Sequence, residues 1–325
     1  MSSAAVNGAN LVFVGGTGRS GTHILSHLLD RHSRFCGVPI ECRFHCNPKG
    51  LADVVRGRTE PEDFLRKLRG YWWHRVRIGD RVYVKARWRA FGRGRVRGLH
   101  SLVAPDRFEE AAARFEATHG EDLLHASRTL FYDLLGPLAE QAGKPALVEM
   151  SCATIAAADG LGPIFPEARF VHSVRDGRDS GASKVSLRQK PHHPTDVSSG
   201  IEFWAERLRQ AEEGMRGLEP ADRERLRVIS LDELVWSDRE GAYTELREFL
   251  GIADEPAMRE FFETEMNADA AHRERWRKGL SEVEQAEIVG LYEAQLDRLE
   301  AEGYHCAPVL RRSYERELAS AAGGA

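Results

Sequence analysis

The sequence predicts an α/β fold: a parallel sheet with helices on both faces. Three observations carry that expectation. Short apolar runs, too brief for helices, recur at residues 11–14, 146–148, 169–174 and 226–229. Longer stretches with apolar residues at helical spacing separate them. The first run ends in a glycine-rich turn that opens into a helix, the order of a strand, a phosphate loop and a helix. Strands that alternate with helices are joined by crossovers, which parallel pairing requires.

In chain order, Leu11-Val12-Phe13-Val14 is apolar throughout, as a strand buried on both faces must be, and stops at Gly15-Gly16. Within residues 22–29, Ile24, Leu25, Leu28 and Leu29 follow helical spacing. Helical patterns over residues 107–117 and 123–141 precede the run Ala146-Leu147-Val148. Another, over residues 201–214, separates the run at 169–174 from the run at 226–229, and one more covers residues 243–250. A last long helix is expected over residues 281–300, because Ser281 with Glu284 three residues on fits a capping box. No repeat or linker interrupts the chain, so residues 1–325 are expected to form one domain with an insertion at about residues 71–100. Residues 74–97 hold eight arginines and Lys85 against a single acid, Asp80. Period-two alternation through residues 75–85 predicts a hairpin turning at Gly79-Asp80. With Tyr71, Trp72 and Trp73 alongside, the segment reads as a solvated basic face or as a surface that receives an anionic acceptor.

Composition narrows the function. Of 325 residues, 42% are hydrophobic and 30% charged, which excludes a disordered chain or a low-complexity polymer. No uncharged apolar stretch approaches the length of a membrane helix. A net charge of −4 makes no global case for nucleic-acid binding. Only 7 of the 46 basic residues are lysines, leaving 39 arginines, a bias of GC-rich bacterial genomes. The cysteines, Cys36, Cys42, Cys46, Cys152 and Cys306, are odd in number, and residues 1–10 lack the charge and apolar pattern of a secretory signal. A cytoplasmic protein with reduced thiols is expected. Cys36, Cys42 and Cys46 lie near His45 but form no C-x-x-C pair, so no metal is expected.

The chemistry concentrates at strand ends. Gly16-Thr17-Gly18-Arg19-Ser20-Gly21-Thr22-His23 follows the first run. Its glycines let the backbone turn and approach a ligand, and the free amides at the helix start favour an anion. Thr22 stands where the lysine of G-x-x-x-x-G-K-[ST] would be, and the positive charge has moved to Arg19. Arg175 ends the third run at the carboxyl edge of the sheet, within Val174-Arg175-Asp176-Gly177-Arg178-Asp179, where open α/β sheets bind ligands. Ser183 follows about two helical turns later. Arg275-Trp276-Arg277-Lys278-Gly279 is a third basic feature. Three anion-binding features suggest a nucleotide with phosphates at both ends.

Together, residues 18–22, residues 174–179 with Ser183, and Arg277-Lys278-Gly279 resemble the sulfotransferases that use 3′-phosphoadenosine 5′-phosphosulfate (PAPS). The likeness is to the bacterial and Golgi-type group that includes the tyrosylprotein sulfotransferases, and it runs from about residue 11 to residue 300. The resemblance implies a P-loop, nucleotide-kinase-like α/β domain with a central parallel sheet flanked by helices. It implies PAPS as donor, the 3′,5′-bisphosphate PAP as product, and no metal. By motif, Gly18, Arg19, Ser20, Gly21, Thr22 and His23 would hold the 5′-phosphosulfate. Arg175 and Ser183 would hold the 3′-phosphate, helped by Arg277, Lys278 and Gly279. The resemblance also makes Glu41 the general base, since Arg43 follows two residues on as in the tyrosylprotein enzymes; otherwise Glu41 is only the ion-pair partner of Arg43. Arg19 is the catalytic cation at the leaving phosphate. His45 and His100 are lesser candidates for the base, and His172, mid-strand, is expected to be a satisfied core histidine.

Two departures from the family pattern stand out. Where many relatives carry a lysine, Met150 or Ser151 stands here, leaving Lys85 or Lys184 to substitute. The segment at residues 230–234 lacks the tyrosine frequent in the family. The preferred function is sulfuryl transfer to a hydroxyl of a small-molecule, carbohydrate or glycolipid acceptor, with acidic groups favoured. The alternatives are an ATP-dependent P-loop phosphotransferase, which would need a magnesium-binding acid such as Asp176 or Asp179, and a non-catalytic nucleotide- or nucleic-acid-binding protein using the arginine-rich segment. No nucleic-acid partner and no stable membrane insertion are expected; the oligomeric state stays open, a homodimer included.

Overall fold

A computed structural model describes residues 10–74, 76–78, 81–83, 95–96, 98–186 and 193–323. Its strands are β1 (Leu11–Gly16), β2 (Phe35–Gly37), β3 (Val76–Ile78), β4 (Arg81–Tyr83), β5 (Arg95–Val96), β6 (Ala146–Glu149), β7 (Arg169–Val174) and β8 (Leu226–Ser230). Five of them form a parallel sheet in the order β2-β6-β1-β7-β8. The four expected strands are all in it, with β1 at the centre. Register aligns Val12 with Val148 on one side and Gly16 with Ser173 on the other, so β1 and β7 end together at the carboxyl edge. The fifth strand, β2, was not anticipated: three residues carry too little periodicity to stand out.

The helices are α1 (Thr22–Asp30), α2 (Leu51–Val55), α3 (Pro61–Lys67), α4 (Pro105–Thr118), α5 (Leu123–Ala142), α6 (Ala158–Ile164), α7 (Gly177–Val185), α8 (Val197–Arg216), α9 (Arg239–Leu250), α10 (Pro256–Glu265), α11 (Glu282–Ala301) and α12 (Ala307–Gly323). Alternation along β1 divides the core between them. Leu11 and Phe13 pack with Phe131 and Leu135 of α5 and with Phe165. Val12 and Val14 face the other way, onto Leu25 and Leu28 of α1, Tyr243 and Leu246 of α9 and Phe262 of α10. Both faces of the sheet are therefore covered, as a parallel sheet needs. A third cluster, Val174, Trp204, Trp276, Tyr292 and Leu310, seats α11 and α12 beside α8. The capping box that opens α11 is present: Ser281 Oγ accepts the Glu284 amide, and Glu284 Oε2 accepts the Ser281 amide at 2.7 Å.

The hairpin in the arginine-rich segment pairs as its alternation predicts. β3 and β4 are antiparallel with Ile78 opposite Arg81, and β5 adds to the other edge of β3. Gly79, Asp80 and Lys85 lie outside the described residues. No helix among the described residues is long and apolar enough to cross a membrane.

Candidate active site

The loop after β1 is shaped by crowding. A side chain on Gly16 would collide with Ser20 Oγ and the Ser173 carbonyl. The chain then turns through left-handed backbone at Gly18 (φ 77°), Arg19 (φ 67°) and Gly21 (φ 91°). Arg19 adopts this conformation without being glycine, which costs of order 1 kcal/mol and marks a constrained functional turn. Ser173 Oγ ties β7 to the loop by donating to the Ser20 carbonyl. Among the described residues the amides of Gly18 to Thr22 have no backbone acceptor. They gather at the start of α1, the setting in which a helix N-terminus binds an anion.

The second strand end meets this loop. Arg175 leaves β7 buried, at 4% exposure. Asp176 caps α7, accepting the amides of Arg178 at 2.7 Å and Asp179 at 3.2 Å. Two turns along, buried Ser183 Oγ accepts Arg19 Nε at 2.9 Å and Arg275 Nη1 at 3.3 Å. Arg175 Nη1 donates to the Arg19 carbonyl at 3.4 Å. Burial, then Arg175 and Arg275, push the Arg19 pKa down. Such crowding of cations is the electrostatic preparation for an anion. Arg175 Nε is buried without a hydrogen-bond partner among the described residues. Its Nη2 donates to the Ala271 carbonyl at 2.6 Å, while Asp179 accepts the amides of Glu274 (2.9 Å) and Trp276 (3.3 Å). These bonds hold a segment in which His272 and Glu274 are left-handed, and so aim Arg275 at Ser183.

The basic run thus enters the cluster through Arg275 rather than Arg277. Arg277 bonds Gln285 Oε1 at 3.0 Å and lies over the Trp276 ring. Gly279 (φ 82°) serves the turn into α11, and among the described contacts neither it nor Lys278 touches Ser183. Asp176 and Asp179, the acids a magnesium site would use, face inward: Asp176 pairs with buried Arg178, and Asp179 holds residues 274–276. No group of three or more His, Cys, Asp or Glu among the described residues is arranged to hold a metal.

Glu41 lies near the start of α1, reached from Thr22 through Cys152. Cys152 Sγ donates to Glu41 Oε1 at 3.1 Å and stands 3.7 Å from Thr22 Oγ1. Arg43 Nη2 pairs with the Glu41 carboxylate. Burial opposes ionisation of Glu41, but Arg43, with help from Cys152 and His23, lowers its pKa to about 2. The Cys152 thiol is pushed up to about 12 by burial and by Glu41. Cys152 carried no sequence signal of its own; only its contact with two motif residues distinguishes it.

The remaining expectations meet a different geometry. His45 is fully buried, with Nε2 2.9 Å from Glu149 Oε2, and its ring stacks on Phe13. Burial disfavours its charge, yet Cys46 and Glu149 lift its pKa to about 10; held against Glu149 inside the core, it is not a base facing an acceptor. His100 Nδ1 is engaged with the Trp73 carbonyl at 2.5 Å. His172 is buried as expected but not satisfied: neither ring nitrogen has a hydrogen-bond partner among the described residues, and burial pushes its pKa down to about 3. At the family lysine's approximate position, Met150 is buried in the core and Ser151 Oγ accepts the Arg43 amide at 3.0 Å. Lys184 Nζ lies over the Phe203 ring, 4.8 Å from its centre.

Comparison with known proteins supplies the family. No curated protein matches the chain. Three solved structures resemble it: the sulfotransferase domain from the Synechococcus PCC 7002 olefin synthase (17% identity, TM-score 0.47, covering 90% of this chain and 97% of that one); the sulfotransferase domain from the curacin biosynthetic pathway (15%, 0.45, 81% and 82%); and sulfotransferase STF9 from Mycobacterium avium (16%, 0.42, 89% and 76%). The family model described as "Sulfotransferase family" matches residues 11–256, well over half the chain and a span that includes the loop, Glu41, Arg175 and Ser183. The chain belongs to the sulfotransferase family, enzymes that move a sulfuryl group and generally take it from PAPS.

Proposed function

We propose that this chain transfers the sulfuryl group of PAPS to a hydroxyl of a small-molecule, carbohydrate or glycolipid acceptor, with Glu41 as general base. The observation that carries this reading is the meeting of Arg19 and Arg275 at Ser183, with Arg175 on the Arg19 carbonyl, next to loop amides that have no backbone acceptor among the described residues and with Glu41 joined to Thr22 through Cys152. Residues 18–23 would bind the 5′-phosphosulfate. Arg175, Ser183 and Arg275 would bind the 3′-phosphate, with Arg277, Lys278 and Gly279 closing the turn behind them. Arg19 serves both ends: its amide belongs to the loop and its guanidinium reaches Ser183. The donor supplies an electrophilic sulfur on a phosphate leaving group.

In the reaction, the acceptor oxygen bonds to sulfur while the bond from sulfur to the bridging phosphate oxygen breaks. The hydroxyl proton passes to Glu41, and PAP departs with its new charge facing the loop amides and Arg19. Arg43 keeps Glu41 ionised until an acceptor arrives. Residues 1–325 are read as one catalytic domain, with residues 71–100 on the acceptor side, where the arginines and Tyr71 would suit an acidic acceptor carrying a ring.

The test is transfer of radiolabelled sulfuryl from PAPS to a panel of phenols, alkyl alcohols and sugars. Labelled ester from the wild type is expected, together with loss of most turnover but retention of PAP binding in Glu41→Gln. Full activity in Glu41→Gln would eliminate the base, and label transfer from γ-labelled ATP instead of PAPS would favour the phosphotransferase.

A further inference from the structure

Behind Glu41 lies a buried network that the chemistry above does not use. Glu149 ends β6 fully buried, and four donors converge on its two carboxylate oxygens. Oε1 accepts the Cys42 amide at 3.3 Å and Ser151 Oγ–H at 2.6 Å. Oε2 accepts the Ser151 amide at 2.9 Å and stands 2.9 Å from His45 Nε2. Ser151 Oγ in turn accepts the Arg43 amide at 3.0 Å, and Thr154 Oγ1–H donates to the Ser151 carbonyl at 2.6 Å. The consecutive amides of Cys42 and Arg43 are thereby fastened to the end of β6 and the residues just after it. Arg43 needs this, because its backbone is left-handed (φ 63°) without being glycine.

A buried ion pair is a poor device for stability, since well-packed apolar residues usually do as well or better. What a carboxylate offers here is geometry. Only an acceptor on both oxygens satisfies all four donors; a glutamine would turn an N–H₂ toward one of them. We propose that Glu149, paired with His45 and relayed by Ser151, is a positioning residue: it fixes the turn that carries Glu41 and Arg43 so that the Glu41 carboxylate faces the phosphate loop. This rests on the reading of Glu41 as base. Ser151, near the position of the family's lysine, therefore works from behind the site and not at the leaving group.

The test uses Glu149→Gln and Ser151→Ala in the full chain, each also combined with Glu41→Gln. Three quantities are read: PAP affinity by calorimetry, loss of labelled sulfuryl from PAPS to water, and the rate at which iodoacetamide alkylates Cys152, followed on its own peptide by mass spectrometry. A displacement of the base by even about 1 Å costs up to about a hundredfold in rate, so Glu149→Gln is expected to lower turnover by at least about tenfold with PAP affinity unchanged. Ser151→Ala, which removes one hydroxyl and keeps the ion pair, should lose less and decides the matter if Glu149→Gln does not fold. In either variant Cys152, freed from its contact with Glu41, should alkylate several-fold faster, as a thiol released from a neighbouring carboxylate does. Neither substitution should cost further turnover in the Glu41→Gln background. Unchanged turnover and alkylation in both variants, or an undiminished loss on top of Glu41→Gln, would overturn the positioning role while leaving Glu41 as base. Full turnover in Glu41→Gln alone would instead remove the base reading itself.

Discussion

Replacing His172 by leucine should make the protein more stable, and increasingly so as the pH falls. The ring sits in mid-β7 at 0% exposure with neither nitrogen partnered among the described residues, and burial lowers its pKa from 6.5 to about 3. Folding therefore holds the neutral form, whereas the unfolded chain takes up a proton below its ordinary pKa. The sign follows from the depressed pKa of a base. The histidine costs nothing by ionisation above about pH 6.5, and stability drains away as the pH falls from there toward 3, at about 1.4 kcal/mol per pH unit. At about pH 5 the loss is about 2 kcal/mol. At about pH 8 the only cost is desolvation of unpaired nitrogens, of order 1–3 kcal/mol, offset in part by imperfect packing of the leucine. Urea unfolding followed by tryptophan fluorescence, for wild type and His172→Leu at both pH values, reads the difference. The gap between the two proteins should widen by about 2 kcal/mol on going from about pH 8 to about pH 5. A gap that stays constant would refute the reasoning, because it would mean that His172 binds a proton as readily folded as unfolded.

Other outcomes follow from the same contacts. Arg178 is buried between Asp176 and Glu317 and under the rings of Trp276, Tyr292 and Tyr314, so Arg178→Met should cost roughly 3–5 kcal/mol by stranding two carboxylates, visible as a fall in Tm. Arg275→Ala should weaken PAP binding at least about tenfold, as loss of a charge-assisted contact does, while Arg277→Ala should change it little; calorimetry with the reverse order would contradict the geometry at Ser183. With its pKa at about 2, Glu41 should impose no acid limb on the wild-type rate profile at ordinary assay pH, whereas Arg43→Ala leaves burial opposed only by Cys152 and His23, raises that pKa, and should bring a fall in rate on acidification; superimposable profiles would contradict the pairing.

Backbone demands were the most legible part of this chain. The loop after β1 needs left-handed residues and close approach, so its glycines are written in the sequence, and apolar runs buried on both faces declare β1, β6, β7 and β8. The placing of Arg19 in the loop and of Arg175 and Ser183 after β7 could be anticipated because strand ends and helix starts have fixed geometry, but the bond from Arg19 to Ser183 could not. The choice of Arg275 over Arg277 could not: it depends on left-handed Glu274 and on Asp179 holding two amides, which turn the side chain by an amount that spacing does not encode. Helix α12 was hidden by its arginines and glutamates; a few buried residues, Leu310 and Tyr314 among them, dock it, and tertiary packing rather than local pattern decides such a helix. The pair of His45 and Glu149 joins two distant segments, and nothing in the sequence around His45, a lesser candidate for the base, marks it as the buried partner of Glu149.

The function depends on which nucleotide the cluster of Arg19, Arg175, Arg275 and Ser183 receives. Calorimetric titration of the purified protein with PAP, and in parallel with ADP and magnesium, asks this without knowledge of the acceptor. PAP should bind, with that binding lost in Arg175→Ala, and ADP with magnesium should give little heat. Binding of ADP with magnesium and not of PAP, or PAP binding unaffected by Arg175→Ala, would contradict the proposed function.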